Sequence, residues 1–163
     1  MRYHDITKCD MKNGDGLRTV LWVAGWSHRC PGCHNPITWD PNDGIPFDQA
    51  AKEEIFEELS RDYISGITLS GGDPLFPGNR DTVAELIYEI KEKFPEKTIW
   101  LYTGYLWEDV KDLPGISQVD VLVDGPYVEV LRDTTLHWKG SSNQRVIDVP
   151  STLRAGQVIL WDE

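Results

Sequence analysis

The sequence predicts an α/β fold, built as a single domain around a mainly parallel sheet. Three observations support this prediction. The 163 residues suffice for about one domain with a full hydrophobic core. Short apolar runs rich in β-branched and aromatic residues alternate along the chain with segments of helical periodicity. Strands and helices in this order form right-handed βαβ units, whose strands are parallel.

The first half of the chain holds two predicted strands and two predicted helices. Residues 19–24 are a continuous apolar run, typical of a buried strand, which ends at Gly25. Asp48 is the expected N-cap of a helix that ends at Leu59. A strand over 66–69 then leads into the tight turn Ser70-Gly71-Gly72-Asp73-Pro74.

The second helix follows that turn. Asn79 or Asp81 is the expected cap. The helix has one apolar stripe, at positions typical of a helix that packs on a sheet: Val83, Leu86, Ile87, Ile90 and Phe94.

In the second half of the chain, predicted strands and helices alternate up to about residue 125. We predict a strand over 98–102, a short helix over 106–113 closed by Pro114-Gly115, and a strand over 119–123. Beyond residue 125 the pattern weakens, with a last strand expected at 145–149 and an edge strand at 157–161. We therefore expect one domain over residues 1–150 and a C-terminal tail over 151–163.

Three loops are richest in Gly, Cys and Asp, and each follows a predicted strand: 25–35, 70–75 and 103–105. In parallel sheets, sites form at the carboxyl ends of the strands. The convergence of these loops predicts one active site at that edge.

Composition limits the partners. A net charge of −11 argues against a general nucleic-acid binder and against electrostatic attachment to anionic membranes. No run reaches the roughly 18 apolar residues of a spanning helix, and the N-terminus lacks an apolar signal core. We expect a cytoplasmic protein, whose close cysteine pair serves metal or redox chemistry before a structural disulfide.

The segment Cys30-Pro31-Gly32-Cys33-His34, with Trp26 ahead of it, carries most of the functional information. Taken alone, it is compatible with c-type haem attachment, with a thioredoxin-like dithiol and with two unreactive core cysteines. It is also compatible with a zinc site completed by two ligands from a set of four: His4, Cys9, His28 and His34. The residues of this segment leave these alternatives open.

Six blocks taken together are more specific than this segment. They are Asn13-Gly14-x-Gly16-x-Arg18, Cys30-Pro31-Gly32-Cys33-His34-Asn35 with Thr38-Trp39, Leu69-Ser70-Gly71-Gly72-Asp73-Pro74-Leu75, Trp100-x-Tyr102-Thr103-Gly104-Tyr105, Val119-Asp120-Val121-Leu122-Val123-Asp124-Gly125 and Trp138-Lys139-Gly140-Ser141-Ser142-Asn143-Gln144. In order and spacing, over about residues 1–147, the chain resembles the anaerobic ribonucleotide reductase activating proteins of the radical S-adenosylmethionine superfamily.

The resemblance implies a partial (β/α) barrel of radical-SAM type, with about five or six strands. It also implies two cofactors, a 4Fe–4S cluster and S-adenosylmethionine. In this family, one electron from the reduced cluster cleaves S-adenosylmethionine, and a hydrogen atom is then taken from a glycine of the partner reductase. The implied partners are the glycyl radical subunit of an anaerobic ribonucleoside-triphosphate reductase and a one-electron donor such as flavodoxin.

The metal ligands carry over incompletely. The family segment is Cys-x3-Cys-x2-Cys, and its last two ligands fall on Cys30 and Cys33. The first falls on Trp26, whose indole offers only an N–H donor and cannot ligate iron. Either Cys9, His28 or His34 substitutes for it, or the chain is a catalytically impaired homologue that only binds the reductase. A small zinc-binding domain is a third interpretation.

The cofactor-binding residues carry over as two groups. Gly32, Cys33 and His34 flank the adenine, and Gly71, Gly72 and Asp73 meet the methionyl end, where Asp73 or a backbone carbonyl accepts from the ammonium. No catalytic side chain is implied beyond the cluster ligands.

Two further blocks have open interpretations. We expect residues 13–18 either to lie near the partner's glycine-radical loop or to form a turn with a solvated arginine. Residues 138–144 close the site, bind the partner or cap the sheet.

Overall fold

The structure, a computed structural model, describes residues 1–25, 44–133 and 135–161. Its strands are β1 (Arg2–Asp10), β2 (Arg18–Val23), β3 (Ile45–Pro46), β4 (Gly66–Gly71), β5 (Thr98–Tyr102), β6 (Val121–Asp124) and β7 (Arg145–Asp148). Its α-helices are α1 (Gln49–Leu59), α2 (Arg80–Lys93), α3 (Trp107–Val110) and α4 (Val149–Ala155), and short 3-10 turns span Ile116–Gln118 and Glu129–Leu131. No helix in the described part of the chain is long and apolar enough to cross a membrane.

The seven strands of the described residues form one sheet in the order β3-β1-β2-β4-β5-β6-β7. The four central strands, β2, β4, β5 and β6, are parallel to one another. Antiparallel pairings complete the sheet on both sides: β1 pairs with β2 and β3 with β1 on one side, and β7 pairs with β6 on the other. The prediction of an α/β fold is confirmed, and its parallel part is the centre of the sheet. The β1–β2 turn is short, and such a turn joins only antiparallel strands.

One face of the sheet, the helix face, packs on α1 and α2. Its fully buried residues come from alternate positions of the strands and from the apolar stripes of the two helices: Leu21, Ile67, Leu69, Ile99, Leu101, Leu122, Ile55, Leu59, Leu86, Ile87 and Ile90. Each such side chain contributes about 1.5–3 kcal/mol on burial. This core fixes the register of the central strands and therefore the positions at which they end.

The other face, here called the aromatic face, carries Arg18, Trp22, Trp100 and Tyr102. A smaller cluster forms on it around Trp100, and Trp138 and Trp161 pack there from outside the strands. The two faces therefore differ in kind: one is an aliphatic core and the other is aromatic and polar.

The helix predictions agree with the structure at the start of both long helices. Asp48 caps α1, and its carboxylate accepts a hydrogen bond from the backbone N–H of Ala51 at 2.9 Å. Asn79 stands at the N-cap position of α2, but its side chain makes no capping bond. That side chain serves the candidate site instead.

Three parts of the sequence-based description are wrong or incomplete. The predicted helix over 106–113 is shorter, since α3 covers only Trp107–Val110; Pro114 disfavours helical backbone at the residue before it. No element was predicted for residues 1–10, which form β1.

In the tail, residues 149–155 form α4, with Asp148 as its cap. The predicted edge strand over 157–161 is reduced to one bridge, between Ile147 and Leu160.

Candidate active site

The candidate site lies at the edge of the sheet where the parallel strands end. β2 ends at Val23, β4 at Gly71, β5 at Tyr102 and β6 at Asp124. Because the strands are parallel, these four ends lie at the same edge, here called the carboxyl edge. The loops that follow β4 and β5 are two of the three predicted from the sequence.

The turn after β4 is tied to the end of β2 through the backbone. Gly72 N donates to Val23 O at 2.8 Å, and Asp73 N donates to Gly25 O at 2.6 Å. Gly71 has φ +106°, and a Cβ there would lie 2.5 Å from Val23 N. Only glycine allows this approach, so the Gly71-Gly72-Asp73 turn lies directly against the end of β2.

Asp73 is the centre of this turn. Its side chain is fully buried, and its carboxylate accepts from Leu75 N at 2.9 Å, from Thr103 Oγ1 at 2.8 Å and from Gly104 N at 2.9 Å. The carboxylate therefore joins the turn after β4 to the loop after β5. The predicted contact of Asp73 with a cofactor stays a prediction, and the structure adds a positioning role for the same side chain.

Asn79 makes a second connection. Its Nδ2 donates to Ala24 O at 2.8 Å and to Asp73 O at 3.1 Å, and the residue is 3% exposed. Asn79 was expected only as a helix cap, and Thr103 only as a loop residue. Their contacts to residues 30 to 55 positions away leave no local signal in the sequence.

The cysteine segment lies outside the described residues, which stop at Gly25 and resume at Gly44. Trp26, Cys30, Gly32, Cys33 and His34 all fall in the gap, so their predicted roles stay predictions. Both flanks of the gap are described. Gly44 O accepts from Arg2 Nη2 at 2.8 Å, and Tyr3 pairs with Val23 across β1 and β2. The described residues on both sides of the gap therefore lie at the carboxyl edge.

Cys9 lies at the opposite edge. It falls between Thr7, which pairs with Val20, and Asp10, which pairs with Arg18. At about 3.3 Å per strand residue, it is about 20 Å along β2 from Gly25. This position argues against Cys9 as the replacement for a ligand at Trp26. Among the described residues there is no group of three His, Cys, Asp or Glu side chains that could hold a metal ion.

Arg18, in the block 13–18, differs from its sequence-based interpretation. The interpretation as a solvated arginine is wrong, because the side chain is fully buried. Its five N–H donors reach neutral oxygens: Thr68 Oγ1, Asp15 O, Thr98 Oγ1, Ile67 O and Thr98 O, at 2.8–2.9 Å. Burial lowers the pKa of Arg18 to about 10, so the guanidinium remains charged at neutral pH. Arg18 thus closes the aromatic face at the end remote from the carboxyl edge.

The block 138–144 folds back on itself. Gln144 Oε1 accepts from Gly140 N at 2.9 Å and Ser141 N at 3.1 Å, while its Nε2 donates to Gly125 O at 3.0 Å. Ser141 is fully buried. Of the three interpretations of this block, these contacts support capping of the sheet, at the β6–β7 connection.

An ion pair with one buried partner lies at the end of β6. Asp124 is fully buried and accepts from Trp107 N at 2.8 Å and from Arg145, which also contacts Glu108 at 2.8 Å. The two carboxylates raise the pKa of Arg145, and the hydrogen bond from Arg145 lowers the pKa of Glu108. Asp124 belongs to one of the six sequence blocks, where no role was predicted for it; the structure shows that it fixes the loop before α3.

Comparison with known proteins identifies the family of the chain. Over residues 12–147 the chain matches the family described as a 4Fe-4S single cluster domain. Relatives named anaerobic ribonucleoside-triphosphate reductase-activating protein occur in Enterobacteria phage T4 (47% identical over 146 residues, 90% of this chain and 93% of the relative) and in Escherichia coli strain K12 (42% over 150 residues, 90% and 97%). A third, from Vibrio cholerae serotype O1, is 38% identical over 148 residues, 88% of this chain and 96% of the relative. The chain therefore belongs to the family of anaerobic ribonucleoside-triphosphate reductase-activating proteins.

Proposed function

We propose that this chain activates an anaerobic ribonucleoside-triphosphate reductase, using a 4Fe–4S cluster and S-adenosylmethionine to generate a glycyl radical on the reductase. Membership of the family supports the proposal. The single observation that carries it is the bonding of Gly72 N to Val23 O and of Asp73 N to Gly25 O. These bonds hold Val23 and Gly25, the described residues ahead of the cysteine segment, against the glycine turn that, in this family, meets the methionyl end of S-adenosylmethionine.

In this proposal, separate groups of residues hold the cluster and S-adenosylmethionine. Cys30 and Cys33 would hold the cluster, whose chemistry when bound is one-electron cleavage of S-adenosylmethionine. The backbone of residues 71–73 would hold the methionyl group, and Gly32 and His34 would flank the adenine. Asp73, through Thr103 and Gly104, keeps the turn in place. The corresponding fold is a partial barrel of radical-SAM type, with the aromatic face as its interior.

The donor set fits the cluster at two of three positions. Trp26 has no lone pair to offer, and Cys9 lies at the opposite edge of the sheet. His28 and His34 remain as substitutes within the same segment, and histidine does ligate some iron–sulfur clusters. This shortfall favours a second candidate function, a non-catalytic homologue that docks on the reductase without cleaving S-adenosylmethionine.

The proposed function also implies the partners of the protein and its compartment. We propose the glycyl radical subunit as the protein substrate, a flavodoxin-like protein as the electron donor, and the cytoplasm as the compartment. The net charge of −11 disfavours nucleic acid and anionic membranes as partners.

Anaerobic reconstitution with iron and sulfide tests the proposal on three proteins: wild type, Trp26→Cys and Trp26→Ala. We expect wild type to give a reduced 4Fe–4S EPR signal that changes on addition of S-adenosylmethionine, together with methionine release. Trp26→Cys should strengthen both readouts, and Trp26→Ala should not.

Two outcomes would assign a different function. If wild type gives neither signal nor methionine and Trp26→Cys gives both, the chain is a non-catalytic homologue on an intact scaffold. Stoichiometric zinc in unreconstituted protein, unchanged by iron, would instead identify a zinc-binding domain.

A further inference from the structure

The chain covers the open edge of its own sheet. After α4 the backbone reverses at Gly156 and runs back along β7. Asp148 N donates to Ile159 O at 2.9 Å, and Trp161 N donates to Val146 O at 2.8 Å. Residues 157–161, here called the cover, thus occupy the place that a further strand would take. They lie beyond the residues that match the cluster domain, which end at 147.

Trp161 anchors the cover to the aromatic face. Its ring lies edge-on to Trp100, with centroids 5.1 Å apart and an interplanar angle of 71°. Trp138 also meets Trp100 on this face, with ring centroids 5.4 Å apart. Trp161 therefore fills the position next to the central aromatic residue of this face.

Two cavities meet at Trp161. One, of about 690 Å³, lies at the edge remote from the site and is lined by Trp100, Val121, Asp148 and Trp161 among others. The other, of about 430 Å³, lies beside β7 and is lined by Trp138, Val146, Leu160 and Trp161 among others. A displaced Trp161 would join them into one groove along β7.

The cover is lightly attached. Besides the two bonds to β7, Ile159 N donates to Thr152 Oγ1 at 2.9 Å, and Leu160 is 59% exposed. A few hydrogen bonds, each with a net contribution of about 0.5–1.5 kcal/mol, hold it in place together with two partly buried side chains, Val158 against the main core and Trp161 against Trp100. Segments with so few buried contacts open locally without global unfolding.

We propose that the cover occupies the surface to which a strand of the reductase binds, and that an extended segment of the reductase with an aromatic side chain displaces the cover. The cover itself shows what this surface accepts: main-chain pairing with β7 and an aromatic ring against Trp100. Addition of a strand to an exposed sheet edge is a recurrent mode of peptide recognition. The reductase as the source of that segment rests on the proposed function, whereas displacement of the cover does not.

The test uses a fluorescent synthetic peptide of residues 156–163 and anisotropy measurements on the full-length, cluster-free chain. In wild type the tethered cover competes with the peptide at an effective concentration on the order of millimolar. The peptide should therefore bind to wild type at least about tenfold more weakly than it binds to Trp161→Ala. Leu153→Ala, a change at an exposed side chain of α4, should behave as wild type. Trp161→Phe, which keeps an aromatic ring, should lie between the two, and circular dichroism checks that each variant is folded.

The outcomes separate the two parts of the inference. Equal peptide binding by wild type and Trp161→Ala, or none by folded Trp161→Ala up to millimolar peptide, would overturn displacement of the cover. If the peptide binds Trp161→Ala but added anaerobic ribonucleoside-triphosphate reductase does not displace it, the reductase is not the occupant. Neither result depends on a cluster, so both are distinct from failure of the proposed activity.

Discussion

Replacement of Asp73 is the most direct test of how the candidate site is held together. The carboxylate is fully buried and accepts from Leu75 N, Thr103 Oγ1 and Gly104 N. Asp73→Ala leaves at least these three donors without their acceptor. Asp73→Asn keeps one oxygen but turns an NH2 group toward at least one N–H or O–H donor.

The expected magnitudes follow from these contacts. A buried donor without a partner costs about 1–3 kcal/mol. Part of the cost is recovered because the carboxylate no longer needs to be desolvated, so Asp73→Ala should lower the free energy of unfolding by about 3–5 kcal/mol. Asp73→Asn should lower it by about 2–3 kcal/mol, because one acceptor remains.

Urea denaturation of the cluster-free protein, followed by circular dichroism, measures both values. Asp62→Asn, at an exposed position, is the matched control and should stay within about 0.5 kcal/mol of wild type. A double-mutant cycle with Thr103→Val should give a coupling energy above about 1 kcal/mol. A loss below 1 kcal/mol for Asp73→Ala, or additive effects in the cycle, would refute the positioning role.

Three further predictions concern the surroundings of the site and use the same denaturation assay. Arg18→Lys should destabilise the fold by about 2–3 kcal/mol, since lysine keeps the charge but loses the planar fork that reaches Thr68 and Thr98; stability equal to wild type would contradict this. Gly71→Ala should cost about 3 kcal/mol or more, whereas Gly156→Ala, also at positive φ but with no atom within 4 Å of the added Cβ, should cost only about 1–2 kcal/mol; equal losses would count against the close approach to Val23. Arg145 lowers the pKa of Glu108, so the stability that Glu108 contributes is present above its ordinary pKa of 4.5 and lost as pH falls through the lowered folded value; wild type and Glu108→Gln should therefore differ at neutral pH and converge in acid.

The elements with strong periodicity could be predicted from the sequence. Residues 98–102 form β5 over the predicted range, and α1 begins after the predicted cap Asp48. β1 could not be recognised in this way, since only Tyr3 and Ile6 of its nine residues are buried and its remaining side chains are largely polar. In the tail, Pro150 follows the predicted strand over 145–149 and does not by itself indicate a helix. Proline is nevertheless favoured in the first turn of a helix, and Pro150 lies in the first turn of α4.

The shared position of two loops of the candidate site could be predicted from the sequence, whereas the contacts that connect them could not. The rule that sites form at the carboxyl ends of parallel strands brought the loops after β4 and β5 together. The contacts that fix them join residues far apart in sequence, such as Asn79 to Ala24 and Thr103 to Asp73. Arg18 illustrates the same limit: beside glycines it resembles a solvated turn residue, and only the acceptors on β4 and β5 make its burial possible.

The arrangement of these connections bears on Trp26 itself. Gly25, the residue directly before it, is held through its carbonyl by Asp73 N, and Ala24 is held by Asn79. Asp73 is in turn fixed by Thr103 and Gly104. The backbone directly before position 26, at Ala24 and Gly25, is therefore held by hydrogen bonds to Asn79 and Asp73. A cysteine introduced at position 26 would directly follow this held backbone. Trp26→Cys is accordingly expected to supply the third ligand without any second change.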